Sequence, residues 1–304
     1  MVKMMDFHRN LMGLLQLQGI GRKKIKIIVE HIKHPENSTF TELIEVGKEL
    51  GFIPDTIAKD ALIKAVSTSD RILEDNQKKD IKTLSFFDAN YPEALVFEDS
   101  PVLLYYQGDL NLLHMENRAA VIGSRNPSLE GFKFAVNTGE FLAKQGFAVI
   151  SGLATGCDSG AHHGCLKAGG KTLAFLPSGL LNVYPRENLG LAHKILDSNG
   201  CLLSEYSHHE AIHAYKFIER DRLQAATSNF LIVSEFSARS GTIHTLTFAK
   251  KYNKKILSSR MIYERSQGGF QELQKKKIPY ETLEVETLYN LIKNYKNNKS
   301  FVFL

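Results

Sequence analysis

An arginine on a glycine–serine turn, Gly123-Ser124-Arg125, directly follows the apolar run Ala119–Ile122. A guanidinium fork at such a strand end suits phosphate oxygens. A second cationic cluster, Lys216-Phe217-Ile218-Glu219-Arg220-Asp221-Arg222, sets an aromatic ring among positive charges. A phenylalanine exposed there can stack on a base while lysine and arginine track phosphates. The bland alternative is a core Phe217 beneath a solvated charged face. Ser240-Gly241-Thr242 precedes a helical pattern through Leu246, Phe248 and Ala249. Ser240 or Thr242 can cap that helix and offer its amides to an anion.

Other residues invite an enzymatic reading, and the bland one is preferred for each. Asp158 and His162 lie one helical turn apart and can pair, with Ser151 nearby. No nucleophile in a suitable setting accompanies them, so Asp158 is read as a helix cap and His162 as a packed histidine. Cys157 near a helix N-terminus is read as a buried thiol rather than a reactive one. His209-Glu210-Ala211-Ile212-His213 matches the H-E-x-x-H zinc pattern. It is short, and only Glu219 offers itself as a third ligand, so no metal and no cofactor are expected.

These residues need a frame, and Ala119–Gly170 supplies it. The segment reads as strand, Gly-Ser-Arg turn, helix, strand, Gly-rich turn (Ser151–Gly156) and helix. Two βα units in succession imply a parallel sheet with right-handed crossovers. Their polar turns then share the carboxyl edge, where open α/β sheets bind ligands and helix N-termini attract phosphate. Further strands are read at Lys171–Leu176, Leu202–Leu203, Phe230–Val233 and Lys255–Leu257, each ending in small or polar residues. Gly123, Ser124, Gly152, Gly156, Ser240 and Gly241 would shape a groove along that edge.

The whole chain has 304 residues, 43% hydrophobic content and a net charge of +5, enough for a large domain plus a small one and a mild lean towards anionic partners. No stretch is apolar enough for a membrane span, Met1–Lys33 has no signal-peptide cleavage pattern, and Cys157, Cys165 and Cys201 form no CxxC pair. A cytoplasmic protein with reduced thiols is expected. Residues 1–75 read as a small helical domain, 76–285 as the sheet domain and 286–304 as a solvated tail. In the first of these, Gln18-Gly19-Ile20-Gly21-Arg22 separates two helical patterns. This is either a helix-hairpin-helix turn able to approach phosphate or a connector with permissive glycines.

GSR, SGLATGCDSGAH, YPREN, SEY and SGT, in that order, resemble the DprA/Smf family of bacterial DNA-processing proteins from about Asp80 to Tyr280. The resemblance implies a Rossmann-like α/β domain preceded by a small helix-hairpin-helix or SAM-like domain. It also implies a non-catalytic protein that binds single-stranded DNA in transformation or recombination, helps load the RecA recombinase and acts as a homodimer. Arg125 matches an arginine that contacts DNA in the family, and the expected contacts are Arg125, Lys216, Phe217, Arg220 and Arg222. Two departures stand out. Asp221 replaces the asparagine of the family's Phe-x-x-Arg-Asn-Arg, and Ser258–Arg265 (SSRMIYER) replaces a Pro-Gly loop. The winged-helix domain of some members is expected to be absent. The alternative is a nucleotide sensor or a phosphoribohydrolase on a related fold, although EFSARSGTIHTLTFA lacks the hydrolase glutamate.

Overall fold

The computed structural model describes residues 2–208 and 210–298. Nine strands form one sheet in the order β1-β2-β6-β5-β4-β3-β7-β8-β9. They are β1 (Lys82–Ser85), β2 (Leu103–Gly108), β3 (Arg118–Ile122), β4 (Ala148–Ser151), β5 (Thr172–Phe175), β6 (Cys201–Ser204), β7 (Phe230–Val233), β8 (Lys255–Ser259) and β9 (Glu281–Leu283). From β3 onward the pairings are parallel; β2 runs antiparallel to both β1 and β6. Every residue of β4, β5, β6 and β7 is buried, the signature of a sheet covered on both faces. The chain builds outward from β3 through β4, β5 and β6, then returns to lay β7 on the other side of β3. That reversal opens a crevice at the carboxyl ends of β3 and β7.

The covering helices are α5 (Leu129–Lys144), α6 (Cys157–Lys167), α7 (Leu189–Asp197), α8 (Ala214–Thr227), α9 (Thr242–Lys251), α10 (Arg260–Arg265), α11 (Gln267–Lys275) and α12 (Val285–Asn298). Helices α5 and α6 are in backbone contact through glycines. A methyl group on Gly164 would lie 1.9 Å from the Val136 carbonyl oxygen, and one on Gly139 2.2 Å from that of Ala161. The altered Ser258–Arg265 stretch completes β8 and forms the short α10, with the Ser259 hydroxyl capping the Ile262 amide at 3.2 Å.

Residues 286–298 are not a solvated tail. Helix α12 buries Leu288, Leu291 and Ile292, and Tyr289 stacks on Phe141 with ring centroids 4.0 Å apart. Each such buried aliphatic contributes at most about 1.5–3 kcal/mol. The lysines and asparagines of Tyr289–Asn298 had masked the apolar stripe between them. Residues 299–304 of the expected tail lie outside the described residues.

The N-terminal helices α1 (Val2–Leu15), α2 (Arg22–Glu30), α3 (Phe40–Glu49) and α4 (Lys59–Lys78) gather around Leu11, Leu14, Ile25, Ile28, Leu43 and Ile53. Helix α4 runs past the expected limit at residue 75. Its Ile72 joins Met12, Leu103 and Tyr105 in one apolar cluster, so the helical part and the sheet share a core. Among the described residues, no helix is long and apolar enough to cross a membrane.

Candidate nucleic-acid interface

The crevice at the β3–β7 switch is a cleft of about 440 Å³. Its first wall is the turn after β3. The Ser124 amide donates to the Glu235 carbonyl at 2.7 Å, and the Ser124 carbonyl accepts from the Cys157 amide at 3.0 Å. The turn is thereby pinned to the ends of β7 and the start of α6. Gly156 makes this approach possible. Its φ is +77°, and a Cβ there would meet the Ser124 carbonyl oxygen at 2.4 Å. A Cβ on Gly123 would likewise meet the Cys157 sulfur at 2.6 Å.

Arg125 is exposed at the mouth, and its guanidinium stands 5.0 Å from the centre of the Phe217 ring. Phe217 is half-buried and edge-on to the exposed Tyr184, 5.5 Å away. The opposite wall is the loop between β7 and α9. There the Ser240 hydroxyl lies 2.8 Å from that of Thr242 and accepts the Thr242 amide at 3.2 Å. The N-terminal residue flanking α9 is Gly241, so Ser240 holds the loop rather than occupying the cap itself. Arg239 and His244 are exposed at the cleft.

The floor is ionic and buried. Arg220 donates to the Phe175 carbonyl at 3.1 Å, and its Nε lies 3.2 Å from the Asp221 carboxylate. Gly152 clears the space for it: a Cβ at residue 152 would sit 1.4 Å from Arg220 Nη1. Asp158 accepts the Gly152 amide at 3.1 Å. Burial pushes the Asp158 carboxyl above its ordinary value against the pull of Arg220. Burial also drives Asp221 up to about 7, with Arg220 opposing, Asp158 adding to the rise, and Arg125 opposing more weakly. The expectation that Asp158 caps α6 is corrected accordingly. Gly156 precedes that helix, and the Asp158 carboxylate reaches back to the preceding turn.

Two of the expected contacts do not reach the cleft. Lys216 is 2% exposed; it pairs with Glu210 at 3.0 Å and lies 4.1 Å from the centre of the Tyr206 ring. Arg222 is also 2% exposed; it clasps both carboxylate oxygens of Glu205, at 2.5 and 2.7 Å, and donates to the Asp99 carbonyl. Residues two apart on a helix diverge by about 200°, so Arg222 cannot share the face of Arg220. The cleft thus gathers Gly123, Ser124, Arg125, Phe217, Arg220, Ser240 and Gly241. Gly152 and Gly156 support it from behind. Tyr184, Arg239 and His244 were given no role in the sequence, although Tyr184 opens YPREN and Arg239 stands two residues before Gly241.

The remaining candidates are occupied structurally. His162 is fully buried, with Nδ1 2.7 Å from the Thr172 hydroxyl, and burial lowers it to about 3. Burial raises the Cys157 thiol to about 12, and Ser151 donates its hydroxyl to the Val121 carbonyl at 2.7 Å. Of the H-E-x-x-H stretch, Glu210–His213 precedes α8 and is not helical, while His209 lies outside the described residues. The hairpin turn at Gly19 (φ +78°) faces the sheet part. Its Arg22 pairs with Glu205 at 3.0 Å and with Glu219, across a groove also lined by Lys23, Lys24 and Glu210. Arg22 of the hairpin turn is thus committed to carboxylates of the sheet part.

The fold has counterparts among solved structures. The DprA of Streptococcus pneumoniae aligns over 99% of this chain and 98% of its own, with a TM-score of 0.74 at 23% identity. The Helicobacter pylori DprA, solved for its unique single-stranded DNA binding mode, aligns over 72% of this chain and 95% of its own, with a TM-score of 0.60 at 29% identity. The model of the DNA recombination-mediator protein A family matches residues 82–292, and the chain belongs to that family. Relatives include Protein Smf of Synechocystis, 31% identical over 80% of this chain and 62% of its own. The DprA of Bacillus subtilis is 29% identical over 62% of this chain and 63% of its own. The chain therefore spans about three fifths of the length of these curated relatives.

Proposed function

We propose that this chain binds single-stranded DNA along the carboxyl edge of its sheet, without cutting it, and delivers it to a RecA-type recombinase as a homodimer. The observation that carries the reading is Arg125 beside the Phe217 ring in the cleft at the β3–β7 switch, with Tyr184 packed edge-on against that ring. A cation beside a half-buried ring and its exposed neighbour offers a phosphate contact and a stacking surface. The Helicobacter pylori relative's single-strand binding and the family's designation as recombination mediators support the same reading. Ser151 and His162 are held in buried hydrogen bonds and Cys157 is a buried thiol, which favours binding over catalysis.

The test is fluorescence anisotropy with labelled oligonucleotides of increasing length and at several salt concentrations. Single strands bind, duplex binds less well because its bases present no free face, and log affinity falls with log salt by about 0.7 per phosphate neutralised. Mononucleotides competing as well as oligonucleotides would sink the proposal in favour of a nucleotide sensor. For the assembly, light scattering at tens of micromolar reports a dimer with closed two-fold symmetry; a monomer throughout that range would overturn it.

A further inference from the structure

The amino edge of the sheet, opposite the cleft, holds a second constellation. Arg118 opens β3, and the register pairs Ala119 with Phe230 and Phe230 with Lys255. One residue earlier on each strand, Arg118, Asn229 and Lys254 therefore fall in a row across three adjacent strands. At about 4.8 Å per strand, the row is about 10 Å long. All three line an open cavity of about 700 Å³, with Phe97 and Tyr252 on its wall. Those two rings are 5.1 Å apart.

The row is made of donors. Arg118 gives its Nε to the Thr227 carbonyl at 2.7 Å and its Nη1 to the Met115 carbonyl, and among the described residues its Nη2 has no hydrogen bond. The Asn229 carboxamide oxygen accepts the Arg118 amide at 2.7 Å, which turns its NH₂ group away from that bond. Lys254 makes no ion pair or side-chain hydrogen bond among the described residues. Burial lowers both cations, and Arg118 lowers Lys254 further, so the two charges feel one another. Glu93 and Glu116 also line the cavity, and Tyr295 and Glu93 oppose the effect of burial on Arg118 without reversing it. Partly desolvated cations without a carboxylate cost stability unless an anion completes them.

We propose that the Arg118–Asn229–Lys254 row is a binding site for the phosphate group of a small molecule, separate from the carboxyl-edge cleft. Three convergent donors match three phosphate oxygens, and the Phe97–Tyr252 wall offers an apolar surface to whatever the phosphate carries. The site does not depend on what occupies the opposite edge.

The experiment is calorimetric titration of the full chain with inorganic phosphate and, separately, with adenosine monophosphate. Wild-type protein binds both if the donors read phosphate alone, and binds the nucleotide more tightly if the aromatic wall contributes. Lys254→Met lowers affinity tenfold or more, and Arg125→Ala on the opposite edge leaves it unchanged. Arg118→Ala also removes the anchors to Thr227 and Met115, so Lys254→Met and Asn229→Asp, which sets a carboxylate in the row, are the decisive variants. The proposal is overturned if neither compound binds at millimolar concentration. It is equally overturned if Lys254→Met and Asn229→Asp bind as wild type does, or if Arg125→Ala abolishes the heat.

Discussion

Helix α8 presents two arginines to two different regions, and the contrast explains what each region is for. On one side, Arg220 lies under the β3–β7 cleft between Asp158 and Asp221, with Arg125 and the Phe217 ring free above it. On the other, Arg222 is clasped by Glu205, which also holds Arg22 from the helical part. The first arrangement leaves cationic and aromatic surface open. The second closes every charge on a partner and ties the N-terminal helices to the sheet. A run of alternating cations is therefore not one binding surface; its helical phase divides it into a platform and a clasp.

Removing the clasp should have the largest effect. Arg222→Ala leaves Glu205 with Arg22 as its remaining ion-pair partner and should cost about 3 kcal/mol in chemical denaturation, the low end of what breaking a buried pair costs. A loss below about 1 kcal/mol would show that the clasp is not what joins the two parts. Gly152→Ala attacks the platform from beneath, because a Cβ there collides with Arg220. It should lower stability by about 1–3 kcal/mol and weaken single-strand binding; unchanged melting together with unchanged binding would break the assigned floor.

Phe217→Ala should weaken binding by about 1–3 kcal/mol with little change in salt slope, because stacking releases no counterion. Asp221 sharpens the comparison through pH. Its folded value of about 7 lies above the ordinary carboxylate value of about 3.9. The folded state thus keeps a proton that the unfolded state releases. The stability this contributes is full below about pH 4 and is lost as pH rises through about 7. Denaturation midpoints should fall between pH 5 and pH 8 in wild type and less so in Asp221→Asn. Single-strand affinity should also be weaker at pH 8 than at pH 6, because the ionised carboxylate competes for Arg220 and Arg125; a wild-type profile as flat as the variant's would remove Asp221 from this account. The smallest effect is expected for Arg125→Ala on stability, since the side chain is exposed. Its effect should appear instead as a salt slope lower by about 0.7, one phosphate contact.

The parallel sheet was legible because its strands are short apolar runs ending in Gly, Ser and Thr, a pattern set by burial on both faces. Arg125, Phe217 and the Ser240-Gly241 turn were legible for the same reason: each lies beside a strand end or on a helix that returns to that edge. Lys216 and Arg222 were not, because spacing shows which face a residue occupies but not which face the acids Glu205 and Glu210 approach. Those acids follow β6, and only the tertiary fold sets them against α8. Helix α12 was missed because its exposed lysines and asparagines outweigh Leu288, Leu291 and Ile292 in any count by composition.

The glycine seam between α5 and α6 bears on time rather than on affinity. With Gly164 and Gly139 each against a carbonyl of the facing helix, neither helix can slide or tilt without a backbone collision in one direction or an open gap in the other. The turns that begin α5 and α6 form the near wall of the cleft, so that wall cannot open while the seam holds. Amide hydrogens along the seam should then exchange with solvent only through global unfolding, at a rate that bound DNA lowers solely by stabilising the folded state. The N-terminal helices, joined to the sheet by the clasp and by the Met12–Ile72–Leu103–Tyr105 cluster, can open sooner, and their exchange would report that junction.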